Sequence, residues 1–216
     1  MKKIAMMYSG LPIANKEHLQ NHIDHIYQYY DCDIFMSLWR RSDEDDETIE
    51  KIKEYYKPKV LHVEDYNQTK VFFDNIKKQL TTVHPDTQVK GAGNTLSMHY
   101  KIFMCFSLIP PEYYIVVKNR TDTTLHSKLD LDIEPYNSIK IPSGGDHRGG
   151  INDLLAYGPH HLMQRYCGTF LNAPFAAIAK KYVYHPENLL KLQLALFDIP
   201  VTRFPYQLTL RGWNYN

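Results

Sequence analysis

The sequence predicts an α/β domain with a mostly parallel central sheet and helices on both faces. Three observations carry that expectation. Short β-branched runs alternate with segments whose apolar residues recur at helical spacing. The run YYIVVKN at 113–119 is apolar enough for a strand covered on both sides. No repeat, low-complexity tract or linker interrupts the chain, so its 216 residues read as one domain, 1–216.

Residues 3–8 read as a buried strand, closed by the turn Ser9-Gly10-Leu11-Pro12. Residues 18–30 place Leu19, Ile23, Ile26, Tyr27 and Tyr30 on one helical face. A second strand follows at 33–39. The acidic block 42–47 opens a helix with Ser42 as its cap and Ile49, Ile52 and Tyr56 as its apolar face. A third strand occupies 59–63 and a short helix 71–80. Residues 84–94, with Pro85, Gly91 and Gly93, form a loop suited to a lid. A strong helix at 96–108 ends at Pro110-Pro111, which feeds the YYIVV strand.

Beyond Asp122 the regularity falls. Segments 133–135 and 138–142 suggest a short strand before the glycine-rich loop 143–150. Residues 152–158 open a helical turn that 159–167 continues. His185-Pro186-Glu187 starts a further helix carrying Leu189, Leu190, Leu192, Leu194 and Leu196, and the tail IPVTRFPYQLTLRG offers two short strands.

Composition narrows the function. A net charge of +1 argues against nucleic acid or an anionic membrane as the main partner, and eleven scattered histidines make no basic patch. The 17 tyrosines suit either stacking on sugars and bases or the edges of a core. Cys32, Cys105 and Cys167 lack metal-ligand spacing and sit in apolar surroundings, which predicts buried free thiols in a reducing compartment. The apolar run in MKKIAMMYSG, about six residues, is too short for a signal or a membrane span, so a cytoplasmic location without a membrane span is expected.

Candidate chemistry gathers at strand ends. Arg120 and Asp122 follow the most buried strand, where open α/β sheets bind ligands, and a carboxylate there can hold Mg²⁺ or Mn²⁺ against a diphosphate. The bland alternative is a surface ion pair. Asp130-Leu-Asp132 lies eight residues past the strand in an alternating, solvated segment, and Asp31-Cys-Asp33 precedes its strand, so neither suits the metal. Ser9 and Gly10 end the first strand, and Asp65 and Tyr66 the third, at the edge where a nucleotide would lie; simple turns are the alternative. Lys101 could reach a phosphate.

The second constellation is GGDHRGGINDLLAYG at 144–158, whose glycines let backbone approach a ligand closely. It offers Asp146, His147, Arg148, Asn152 and Asp153, either for sugar hydroxyls or as a solvated loop capping a helix. Asp153 or Asp146 is the candidate general base. No zinc-type histidine pair, nucleophile elbow or phosphate-binding Gly-x-x-x-x-Gly-Lys occurs. A nucleotidyltransferase would need a glycine-rich basic loop after the first strand, and Ser-Gly-Leu-Pro is neither.

Taken in order, KIAMMYSG, CDIFMSLW, SMHYKIFMCF, YYIVVKNRTD, IKIPSGGDHRGGINDLLAYG, HPENLL and RFPYQLTLRG resemble small GT-A-fold (Rossmann-like) glycosyltransferases in which Arg-x-Asp replaces Asp-x-Asp. That group includes the N-terminal domain of a chlorella-virus capsid-glycosylating enzyme. The resemblance implies a UDP-sugar donor, a glycan or glycoprotein acceptor, Mn²⁺ or Mg²⁺, a host-cytoplasmic setting, and a chain that is one domain of a larger polypeptide. It also implies a nucleotide-binding half at about 1–122 and an acceptor half at about 123–216. On matching positions Asp122 would be the metal carboxylate with Arg120 beside it. Asn152, Asp153 and His147 would face sugar or acceptor, Ser9, Gly10, Asp65 and Tyr66 the nucleotide, and His185 and Arg211 late contacts. The absent first acid departs from the pattern and puts metal affinity in question. A non-catalytic nucleotide-sugar or glycan-binding domain of the same fold is the rival reading.

Overall fold

The computed structural model describes residues 3–83, 92–132, 137–180 and 185–210. Four parallel strands organise it. β1 (Ile4–Gly10) lies between β2 (Cys32–Arg40) and β4 (Ile115–Asn119), and β3 (Val60–Asp65) flanks β2. The sheet continues past β4 through two antiparallel pairings. β7 (Ala156–Pro159) runs against β4, β6 (Ile139–Pro142) against β7, and β8 (Val201–Phe204) lies parallel to β6. The order is β3-β2-β1-β4-β7-β6-β8, and β5 (Thr123–Leu125) pairs separately with β9 (Leu208–Leu210). This is the α/β architecture expected, a mostly parallel central sheet flanked by helices.

Strand alternation explains why both faces are covered. Ala5 and Met7 of β1 join a core with Ile102, Leu162 and Leu190, while Met6 and Tyr8 join Ile26, Ile52 and Leu129 on the other side. The helices supplying these layers are α1 (Lys16–His22), α2 (Glu44–Tyr56), α3 (Tyr66–Val83), α4 (Ala92–Ser107), α5 (His160–Cys167), α6 (Thr169–Lys180) and α7 (Pro186–Leu196). Ile49, Ile52 and Tyr56 of α2 are buried as their spacing requires, each contributing about 1.5–3 kcal/mol by leaving water.

Several expectations are corrected. The helix expected over 18–30 starts earlier because the Asn15 side chain accepts the N–H groups of Glu17 and His18 at 2.7 and 3.2 Å, and it loosens into a π-helical turn at Ile23–Tyr27. Ser42 is not the cap of α2. Asp43 occupies that position, and Asp45 in the first turn accepts the backbone N–H of Arg41 instead. Residues 92–94 are helical rather than loop; the rest of that loop, 84–91, and the segment 133–135 lie outside the described residues.

The largest correction is at 152–158. These residues are an extended approach to β7 rather than a helical turn, because Gly158 packs against β6, where an added Cβ would lie 3.3 Å from the Ile139 Cα. Residues 123–125, at the start of the stretch where the sequence loses regularity, form β5. Cys105 and Cys167 are buried free thiols as expected, whereas Cys32 is only half-buried. Among the described residues no helix is long and apolar enough to cross a membrane.

Candidate active site

The chain reverses direction of growth between β1 and β4. Strands are added from β1 towards β2 and β3 on one side and from β4 outwards on the other, so this is the crevice where open α/β sheets bind ligands. A cleft of about 420 Å³ opens there. Ser9 and Gly10 from the end of β1 line it, as do Trp39 and Arg41 around the end of β2, Tyr66 after β3, and Arg120, Thr121 and Asp122 after β4. Asn94, Ser97 and Met98 from the first turns of α4 close the far wall. Gly10 has φ +112°, which side-chain-bearing residues rarely adopt, so β1 turns out of the sheet only with glycine at that position.

Two guanidinium groups border the cleft, each held by a buried acid. Arg120 Nε and Nη2 donate to the two oxygens of Asp122 at 2.9 and 2.8 Å. Arg41 Nε and Nη2 donate to those of Asp45 at 3.1 and 2.9 Å. Asp122 and Asp45 are each 6% exposed. Burial pushes the Asp122 carboxyl up, but Arg120 outweighs it and holds the group below the usual carboxylate range. Trp39 sits edge-on behind Tyr66, ring centroids 5.2 Å apart, which fixes an aromatic wall.

Not every expected residue reaches this cleft. Asp65 stands beside it. Its carboxylate accepts the Asn67 N–H at 2.8 Å at the start of α3 and lies 4.0 Å from Arg40, a capping role. Lys101 is fully buried, paired with Glu64 at 2.9 Å and set 4.1 Å over the Trp39 ring, so it braces the aromatic wall instead of meeting a phosphate. Arg211 lies outside the described residues.

Across β4 the structure builds a second polar cluster. Lys118, 3% exposed, points away from the cleft-lining edge and donates to the backbone carbonyls of Asp153 and Leu154. Burial lowers its ammonium to about 8, opposed by the Asp153 charge. The Asp153 carboxylate acts electrostatically on His99, Tyr166, His185 and Glu187 as well. Burial drives His99 down to about 4 and Glu187 up to about 7. Three side-chain atoms nearby, Tyr166 Oη, His185 Nδ1 and Asn188 Oδ1, are buried without a hydrogen-bond partner among the described residues. Lys118 links the two regions, since Arg120 and Asp122 also bear on its charge.

The glycine-rich loop hangs on the first turn of α7. Glu187 accepts the His147 N–H through its carboxylate and the Ile151 N–H through its carbonyl, Asn188 reaches the Arg148 carbonyl, and Lys191 the Gly149 carbonyl. Asp146 is an anchor of that loop: its carboxylate takes Arg203 at 3.0 and 2.9 Å and the Asn152 N–H at 2.8 Å. Asn152 spans from the Gly144 carbonyl to the Leu154 N–H, so both ends of its side-chain amide are engaged within the loop. His147 remains exposed. With Asp146 held by Arg203, Asp153 is the acid of this loop that acts on all four of His99, Tyr166, His185 and Glu187. Arg41, Trp39, His99, Lys118 and Glu187 were missed in the sequence. The pair Arg41 and Asp45 had a readable signal, an i, i+4 spacing just past a strand end.

A divalent cation does not fit the donor set at Asp122. Both carboxylate oxygens are taken by Arg120, and among the described residues Asp122 is the one acid lining the cleft and no three His, Cys, Asp or Glu side chains converge.

The chain is thus an α/β domain with a cleft at the carboxyl edge of its sheet. No family model matches the chain, and neither does any curated protein. Among solved structures it is similar to mouse xyloside xylosyltransferase 1 in its apo form, with 7% identity and a TM-score of 0.48 over 94% of this chain and 84% of that one.

Proposed function

We propose that this chain is a glycosyltransferase that moves a sugar from a nucleotide-diphosphate donor to a glycan or glycoprotein acceptor. The observation that carries the reading is the cleft at the β1–β4 switch point, lined by Tyr66 after β3, Arg41 after β2 and Arg120 after β4, each arginine oriented by an acid. An aromatic face suits a base and guanidinium groups suit a diphosphate. The donor is UDP-linked in this reading, and residues 1–122 supply most of its contacts, with 123–216 serving the acceptor.

Transfer needs an acceptor oxygen to attack the sugar carbon while the diphosphate departs with the bonding electron pair. In the inverting form Asp153 takes the acceptor hydroxyl's proton as the new bond forms. Asp146 is spoken for by Arg203 and does not serve. Charge stabilisation at the leaving diphosphate is the largest single contribution to such a step. The finer setting, host-cytoplasmic glycosylation of a viral capsid protein by one domain of a larger polypeptide, follows from the sequence resemblance alone.

The experiment is a thermal-shift panel of nucleotides and UDP-sugars, followed by donor turnover with and without acceptor. Stabilisation by UDP-sugars with release of UDP supports the reading. Stabilisation without turnover favours the non-catalytic binding domain. No shift with any nucleotide removes the nucleotide assignment.

A further inference from the structure

We infer that Arg120, aimed by Asp122 and assisted by Arg41, grips the donor's diphosphate directly, so that donor binding needs no divalent cation. This rests on the nucleotide-diphosphate reading of the cleft and specifies how that site meets negative charge. Arg120 is one-third exposed on its side chain and Arg41 about half, at 33% and 49%, while the acids behind them are almost completely buried, at 9% and 8%. Each acid thus orients a guanidinium that lines the cleft.

The donor arithmetic fits. A guanidinium carries five N–H groups in a rigid plane, and pairing with one carboxylate uses two of them. Further N–H groups on each arginine belong to the same plane that the acid orients, a geometry matched to phosphate oxygens. The alternative requires a cation to displace Arg120 from two hydrogen bonds of 2.9 and 2.8 Å and then sit beside the positive group it displaced. A hard cation also needs several oxygen ligands, and among the described residues Asp122 is the one carboxylate the cleft lining supplies.

The test titrates UDP and, separately, inorganic pyrophosphate into the protein by calorimetry, in EDTA and in manganese. Manganese alone is titrated by electron paramagnetic resonance. UDP affinity should change less than about twofold between EDTA and manganese, and Arg120→Ala should weaken both ligands about 30-fold in EDTA, the loss of charge-assisted hydrogen bonds. Arg120→Lys, which keeps charge but not the fork, should recover only part of that loss. Asp122→Asn should weaken UDP equally in both buffers. UDP binding that vanishes in EDTA, with bound manganese that Asp122→Asn abolishes, overturns the clamp and leaves the nucleotide reading standing. Pyrophosphate binding in EDTA without UDP binding keeps the clamp and removes the nucleoside. Failure of both ligands in both buffers overturns both.

Discussion

At the cleft edge two buried acids are each answered by a guanidinium: Asp122 by Arg120 and Asp45 by Arg41, each through two hydrogen bonds. On the far side of β4 the accounts are left open. Around Asp153 a buried lysine donates to carbonyls rather than to a carboxylate, a glutamate titrates near neutrality, and three polar atoms lack partners among the described residues. Paired charges give a fixed electrostatic surface whose state does not change over the physiological range. Under-satisfied, shifted groups are what proton transfer requires. The first region is built to hold a ligand, the second to change its protonation.

Four perturbations would break or sharpen that contrast. The largest effect belongs to Asp153→Asn, which keeps the side chain's size but not its basicity. Turnover should fall about a thousandfold, the worth of a general base, while UDP affinity from calorimetry stays unchanged. Equal losses in both quantities would erase the division between the regions.

Next comes Gly150→Ala. The added Cβ would lie 2.5 and 2.6 Å from the Cβ and carbonyl carbon of Glu187, so the loop must lift off α7. Urea unfolding should show a loss of about 3 kcal/mol. Gly144→Ala is its control, since it meets open space and only the strain of φ +83°, about 1 kcal/mol. Similar losses at both positions would mean that the loop is not seated as described.

Glu187→Gln probes proton state. The native carboxyl is held near 7, above its unfolded value, so the folded protein binds the extra proton between about pH 4.5 and 7 and loses stability as pH rises through that window. The amide removes that cost while still accepting the His147 N–H. The variant should therefore gain about 2 kcal/mol over the native protein at pH 8 and nothing at pH 4.5, read by urea midpoints. The smallest effect is expected from Tyr66→Ala: about fivefold weaker UDP binding, from the loss of one stacking face, with turnover at saturation unchanged.

The two regions also differed in how far the sequence announced them. β1, β2 and β4 are long β-branched or apolar runs that end abruptly in polar residues, so Ser9, Gly10, Arg120 and Asp122 could be placed at a sheet edge by periodicity alone. The other side was opaque for a physical reason. LLAYG has no period that separates a buried strand from a helix, and its pairing partner β4 lies about 40 residues earlier in the chain. The role of Asp146 depended on Arg203, and that of Asp153 on His99, Lys118 and Glu187, contacts that only the folded chain brings together. Asp65 and Lys101 show the converse: correct elements, but side chains diverted to a cap and to a buried ion pair.

The thiols carry a practical consequence. Burial pushes Cys105 to about 12, Cys32 reaches about 12 with two neighbouring aspartates adding to the effect, and burial raises Cys167 well above the usual thiol range. At neutral pH almost none of the three is a thiolate, the form that reacts with maleimides. The wild-type chain is therefore already suited to site-directed dye attachment without removing its own cysteines. Asn94→Cys, at the solvent-facing lip of the cleft, would place a fluorophore where the arrival of a ligand changes its brightness.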